Sequence, residues 1–346
     1  MIKVLQQLIN KYAHELLVFG ICFCILFSLG FEVMIYFPMD QSPDIQDYLK
    51  MAQFDWNQSP VRHYRILIPL IASGVQFSFG WIFELLHPLS FDGNFSLCFS
   101  FLMVNVSILS IAGVILFKLC RNFGMNDWIA AFSLIPFLSC RWTMELAGLP
   151  LVDSLYFLSL LMVLYGFYNK QTLWFAAGLL LGPWAKEAFI FFVPMILYMK
   201  RDRLINTISW IAFSGMLVFG FRFLWDLYLQ HPFINSFAKD VDSFSTISVS
   251  LSKLFSFHGI YDVFSVVGFW ILIPMMVWIK NNFSLQFKIN ETRIVFVLYL
   301  LAVIFQMLLS GDLARMFYLI LPLYCIWIGI NIKSIIVENG RSATAV

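Results

Sequence analysis

Long apolar runs separated by short polar turns make up most of the chain. Leu16–Phe37, Phe95–Phe117 and Ile260–Ile279 are near-continuous stretches of aliphatic and aromatic residues. Each approaches the ~20 residues a helix needs to cross a hydrocarbon core. The runs lack the apolar/polar alternation of an outer-membrane strand, and backbone groups in lipid must bond within their own segment. The pattern predicts an all-α, polytopic transmembrane protein, with residues 1–346 forming one integral membrane domain. About ten spans are expected, at roughly 16–37, 95–117, 128–140, 154–168, 173–185, 188–199, 205–225, 260–279, 294–309 and 316–331.

The basic residues of the short turns assign sides. Lys3 and Lys11 place the N-terminus in the cytoplasm, as an uncleaved signal anchor without a small-residue cleavage site. Lys118/Arg121, Lys170, Lys200/Arg201/Arg203, Lys280/Lys288/Arg293 and Lys333/Arg341 mark further cytoplasmic segments, and the C-terminus returns to the cytoplasm. Tyr64–Leu86 resists this scheme, because a single crossing there would turn every later basic turn outward. Pro69, Gly74 and Gly80 are expected to break it into short interfacial or re-entrant pieces within a first outer loop at 38–94. A second large outer loop is expected at 226–258. Read as one helix, 173–199 would hold Lys186 and Glu187 in mid-bilayer, so two short spans meeting at that pair are preferred.

Composition agrees with a bilayer environment. Hydrophobic residues make up 61% of the chain and charged ones 12%, against about 25% charge in a soluble domain. The net charge is +2, and no basic cluster with interleaved aromatics points to nucleic acid. The six cysteines lie in or beside apolar runs without metal-ligand spacing, and the scattered histidines supply no metal site either. No P-loop and no G-x-G-x-x-G is present, so no nucleotide-binding domain is expected. No cofactor is assigned, and the sequence leaves a need for a divalent cation open.

What remains is a set of ionisable residues on the outer side, mostly at the ends of spans, where such groups are functional candidates by default. Asp40, Asp44 and Asp47 follow the first span at spacings that share one face of a helix, and Pro43 suits that helix's first turn. A partly desolvated carboxylate there can act as a general base, or the acids can simply cap a helix and meet solvent. Arg62, Arg65, Lys186 and Arg315 offer cations at the same level, suited to phosphate oxygens or to lipid head groups. Lys186 and Arg315 come beside acids, in Lys186-Glu187 and Asp312-Leu-Ala-Arg315, and Asp153 either joins them or caps the following helix.

These residues resemble a family. Asp44, Tyr48 and Ala52 match an acid after the first span, an aromatic four residues later and a small residue eight later. That pattern is similar to GT-C-fold glycosyltransferases, and in particular to small bacterial members. Pro60-Val-Arg-His-Tyr-Arg65-Ile-Leu-Ile-Pro69, the Asp153 that opens a later span, Lys186-Glu187 and Asp312/Arg315 match further elements of that group in order. The resemblance implies a plasma-membrane enzyme, inverting, that moves a sugar from a polyprenyl-phosphate donor to a glycan, lipid or protein acceptor on the outer face. Asp44 or Asp47 would be the base, and Tyr48, Arg62, Arg65, Asp153, Lys186, Glu187, Asp312 and Arg315 would bind substrate. No soluble domain is expected after the last span, which would set the chain apart from many members of that superfamily. A transporter or flippase of a lipid-linked or small anionic solute would use the same charges for binding and gating. A polysaccharide polymerase would share the donor chemistry but carry outer-loop Arg/His clusters in place of an acid after the first span.

Overall fold

The computed structural model describes residues 2–59, 62–88, 91, 93–230, 246–280 and 291–343, and is all-helical over them. Pro60, Lys288 and the centre of the expected second outer loop lie outside the described residues, as do the side chains of Lys3, Lys11 and Arg341. Seven helices are long and apolar enough to cross a membrane, and a bent pair adds an eighth. The chain is a multi-pass membrane protein. Three expected spans correspond to shorter apolar helical stretches, Asp127–Leu138, Thr172–Ala185 and Glu187–Met199.

Helix α1 (Ile2–Tyr36), kinked at Tyr12, is followed by a short α2 (Pro43–Ala52) and by α3 (Leu67–Glu84). Helix α4 (Phe95–Asn122) runs antiparallel to α1. Lys118 pairs with Glu15 at 3.3 Å near one end, and Phe99 meets Phe27 and Phe31 edge-on, at 5.9 and 6.3 Å, towards the other. These ends are called below the Lys118 end and the Asp44 end.

Pro69, Gly74 and Gly80 do not break α3, contrary to expectation; it is one continuous helix. Pro69 falls in the first turn, where its missing N–H has no intrahelical partner to lose. Gly80 lets α4 approach, and its carbonyl accepts a bond from Ser96 Oγ at 3.4 Å. Helix α3 has the length and apolarity of a span. It starts beside Arg65, whose guanidinium donates to Tyr48 Oη of α2, and ends with Phe83 against Phe99, 4.7 Å between ring centres.

The next helices are α5 (Asp127–Phe132), α6 (Ile135–Leu138), α7 (Arg141–Gly148) and α8 (Asp153–Tyr168). Asp127 pairs with His14 and Arg121 at the Lys118 end, whereas Gly148 packs against Gly30 towards the Asp44 end. Helix α7 stops at Gly148-Leu-Pro150, and α8 leaves at 119° to it. Pro150 cannot continue a helix, and a break inside an apolar bundle frees carbonyls that need donors. Asn105 supplies them. Its Nδ2 donates to Leu149 and Leu151 carbonyls at 3.0 and 3.1 Å, and its Oδ1 accepts from Ser154 Oγ at 2.5 Å. Asn105 sits ten residues into α4, about 15 Å of helix, so α8 opens inside the bundle and not at its rim.

Helix α9 (Thr172–Ala185) carries Pro183 in its last turn and ends at Lys186, whose backbone is extended. A 3-10 turn at Glu187–Phe192 then leads into α10 (Val193–Met199). The two-piece reading of 173–199 thus describes the chain, divided at Lys186. Helix α11 (Leu204–Leu229) returns towards the Asp44 end. Helices α12 (Thr246–Leu254), α13 (Phe257–Val267) and α14 (Leu272–Lys280) follow, then α15 (Glu291–Ser310). Gly311, at φ +71, ends α15 in the left-handed conformation that favours glycine. Helix α16 (Leu313–Phe317) and α17 (Leu321–Ala343) complete the bundle.

Candidate functional site

Three helix breaks deliver charge to one place. Asp153 is the first residue of α8, Lys186 ends α9, and Arg315 lies in α16 just after the glycine break. Lys186 Nζ donates to Asp153 Oδ1 at 2.7 Å, and Arg315 Nη2 donates to Asp153 Oδ2 at 2.5 Å. Arg315 Nη1 reaches Asp44 Oδ2 of α2 at 2.5 Å. Arg62 lies between the two acids of α2, at 2.7 Å from Asp44 Oδ1 and 2.6 Å from Asp47 Oδ2. The result is one unbroken chain of ion pairs, Asp47–Arg62–Asp44–Arg315–Asp153–Lys186. Side-chain exposure is 15% at Asp47, 26% at Arg62 and 21% at Asp44, against 13% at Arg315, 4% at Asp153 and 10% at Lys186. The network therefore has a reachable mouth at α2 and a closed floor at the helix breaks.

A second set joins it through α2. Tyr48 is fully buried, one turn after Asp44, and its hydroxyl accepts from Arg65 Nη1 at 3.1 Å. Burial pushes the Tyr48 phenol up, so it stays protonated. Arg65 also pairs closely with Glu187, whose other oxygen faces Arg222 of α11 at 3.4 Å. Arg222 in turn lies over the Tyr64 ring, 4.5 Å from its centre. Tyr64 Oη contacts both oxygens of Asp226 at 2.8 and 2.7 Å, and His63 Nε2 lies 3.2 Å from the same carboxylate. His63 and Asp226 are 0% and 2% exposed, so this pairing stitches the 62–65 segment to α11 inside the protein.

Burial raises the Asp44 carboxyl, but the Arg315 and Arg62 guanidinium groups outweigh it and hold the acid below its usual range. Asp44 is thus an anion held between two cations. Asp312 behaves in the opposite way: burial lifts it above the ordinary carboxylate value against the pull of Arg315.

The expected residues are thus largely in contact, with four differences of detail. Asp40 lies in a separate 3-10 turn, Met39–Gln41, and takes no part in the ion pairs, so the three acids do not share one helix face. Asp312 does not pair with the Arg315 side chain; it caps α16, accepting the Arg315 backbone N–H at 3.3 Å. Asp153 does not cap α8, because its carboxylate is taken by Lys186 and Arg315. Lys186 and Glu187 do not pair with each other; the extended backbone at Lys186 sends them to different partners.

Arg222, Asp226, His63 and Tyr64 were not singled out as site residues from the sequence. A signal existed for two of them. Arg222 and Asp226 are the only charged residues in Leu204–Leu229, four apart in an otherwise apolar helix, and ionisable groups in such a helix mark function or a buried partner. Among the described residues no group of three or more His, Cys, Asp and Glu could hold a metal ion.

Compared with known proteins, the chain matches no family model, no curated protein and no solved structure.

Proposed function

We propose that the chain is an inverting membrane glycosyltransferase that takes its sugar from a polyprenyl-phosphate donor, with Asp44 as the general base. The observation that carries the reading is the ion-pair chain from Asp47 to Lys186. It sets a reachable carboxylate against Arg62 and Arg315, with Lys186 further along at Asp153, and these cations suit a phosphate leaving group. Asp44 takes the proton of an acceptor hydroxyl, whose oxygen bonds to the anomeric carbon. The bond from that carbon to the lipid phosphate breaks, and the phosphate leaves with the electron pair. The transition state resembles that of glycosidases, and Arg62, Arg315 and Lys186 balance the charge developing on the leaving oxygens.

A carboxylate held low by two guanidinium groups is a weak base. The donor's phosphate resolves this, because it competes with Asp44 and Asp47 for Arg62. Drawing Arg62 onto the phosphate removes one of the charges that hold Asp44 down and raises its basicity as the donor seats. Tyr48, Arg65, Glu187 and Asp153 position the cations, and Asp312 fixes the start of α16 beneath Arg315.

We read the topology as about ten passes. Contacts at alternating ends support it. Asp127 lies at the Lys118 end and Gly148 beside Gly30; Tyr168 is one α8 length from Asp153, and α9 returns to Lys186. Later, Arg222 of α11 reaches Glu187, and Lys333 of α17 reaches the Gly124 carbonyl at the Lys118 end. On this reading α3 dips without crossing, both termini share the cytoplasmic side of a plasma membrane, and the site faces outward.

One observation favours a second reading. Broken helices meeting inside a bundle also build the substrate sites of transporters, and the breaks before Asp153, at Lys186 and at Gly311 are of that kind. Purified protein in liposomes, given a labelled polyprenyl-phosphate sugar and an acceptor-containing extract, separates the two. Label on a new molecule, lost with Asp44→Asn, is the expected result. Unaltered donor appearing on the other side would instead establish transport.

A further inference from the structure

A second charged region lies at the opposite end of the bundle and plays no part in the chemistry above. Helix α8 leads away from Asp153 for 16 residues, about 24 Å, and α9 starts back after a turn at Asn169–Gln171. The end of α10 and the starts of α11 and α15 close around that turn. Between them is a cavity of about 480 Å³ whose lining includes Lys170, Lys200, Arg201, Arg203 and Thr292, with Asp202 as the one acid among its described lining residues. That volume is within the range of small-ligand pockets, ~300–1,000 Å³.

Four cations against one acid leave a local positive excess. Among the described residues, Lys170, Lys200 and Arg203 form no ion pair. Lys200 is held at the cavity by aromatic faces, its Nζ 4.9 Å from the Phe175 ring centre and 5.8 Å from that of Phe167. An excess of like charge gathered in one cavity costs free energy, which a bound anion recovers. The surroundings narrow the kind of anion. Leu173 and Ile205, next in sequence to the starts of α9 and α11, are 80% and 81% exposed. A charged pocket with bare apolar side chains on its flanks suits an amphiphile better than a free ion.

We propose that this cavity binds the phosphate headgroup of an anionic phospholipid from the adjacent leaflet, with its acyl chains lying along α9 and α11. Lys200 and Arg203 hold the phosphate, and Lys170 and Arg201 add charge at the rim. The site is separate from the ion-pair chain at Asp44 and does not depend on the glycosyl-transfer reading.

The test uses the full chain in detergent or nanodiscs, with phosphatidylglycerol and phosphatidylcholine as probes. Native mass spectrometry should show phosphatidylglycerol retained in preference to phosphatidylcholine. The double variant Lys200→Gln/Arg203→Gln should weaken that retention about twenty-five-fold, at roughly fivefold for each cation near an anionic headgroup. Lys333→Gln removes a cation at the same end of the bundle that bonds instead to the Gly124 carbonyl, and should leave retention unchanged. Equal loss in that control would overturn the proposal, since charge alone would then explain the effect. Displacement of the lipid by inorganic phosphate or glycerol 3-phosphate at equal concentration would overturn it too, because the apolar flanks would then contribute nothing. A readout on the unaltered protein covers a variant that fails to fold. Its unfolding temperature should rise as phosphatidylglycerol replaces phosphatidylcholine, and a flat response would sink the idea.

Discussion

Arg315 holds Asp44 with one guanidinium nitrogen and Asp153 with another, both at 2.5 Å. The two acids belong to segments more than a hundred residues apart, α2 and α8, and the arginine comes from a third, α16. One planar fork therefore fixes the mouth of the site to its floor. A lysine at this position would supply charge without the two-pronged geometry.

Truncating Arg315 leaves two carboxylates facing each other with a cation lost from between them. Removing one partner of a buried ion pair costs about 3–5 kcal/mol, so Arg315→Ala should lower stability by roughly that amount, and Arg315→Lys by less. Denaturant or thermal unfolding in detergent measures both. Equal stability of Arg315→Ala and the unaltered protein would contradict the network as drawn.

Asp44→Asn should lower sugar transfer by about 10²–10⁴-fold, the usual contribution of a general base, while insertion and folding persist. Asp47→Asn should cost much less, because on the proposed reading Asp47 only holds Arg62 while Asp44 takes the proton. Initial rates with a labelled donor decide the matter; the reverse ranking would pass the role to Asp47.

The Asp44 carboxyl is held below its ordinary value, so its folded pKa lies beneath the unfolded value of about 3.9. Its contribution to stability is therefore fully present above that unfolded value and is lost as the pH falls through the folded one. The Asp44-linked acid limb of kcat/KM, which reports the free enzyme, and the linked loss of unfolding temperature should therefore both lie on the acid side of the ordinary carboxylate value. Arg62→Gln removes one charge that lowers Asp44, so the acid limb of kcat/KM should move upward. An unmoved limb would mean that another group titrates.

Tyr64→Phe deletes the hydroxyl that donates to the buried Asp226. A hydrogen bond to a charged group contributes about 1.5–3 kcal/mol, and the variant should lose that much. Cysteine crosslinking between the 62–65 segment and α11 should weaken in parallel, since this pairing joins them.

Gly148→Ala tests the contact between α7 and α1. A Cβ at Gly148 would collide with the Gly30 carbonyl, which is backbone and cannot swing aside. A cost of about 1–3 kcal/mol is expected for such overpacking, measured by thermal unfolding. Gly215→Ala, where a Cβ meets nothing, is the control.

Helical, membrane-embedded character was decided by sequence alone, because a chain that is 61% hydrophobic in runs of helix-spanning length has no other way to satisfy its backbone in lipid. The acids and bases at the ends of the apolar runs, and the division of 173–199 at Lys186-Glu187, were also legible, since charge in an apolar run marks either a break or a function. Tertiary structure decided which charge meets which. Local spacing joined Arg315 to Asp312 and Lys186 to Glu187, but each cation takes a distant partner instead, because broken helices aim their ends into the bundle. It also decided that α3 stays whole, since Pro69 falls in a first turn and Gly80 admits a neighbouring helix. The depth of the site was equally out of reach, for Asn105 satisfies the broken backbone before Asp153 only once α4 lies beside it. Composition and periodicity report how one segment meets lipid; which segments lie side by side depends on contacts between residues far apart in the chain.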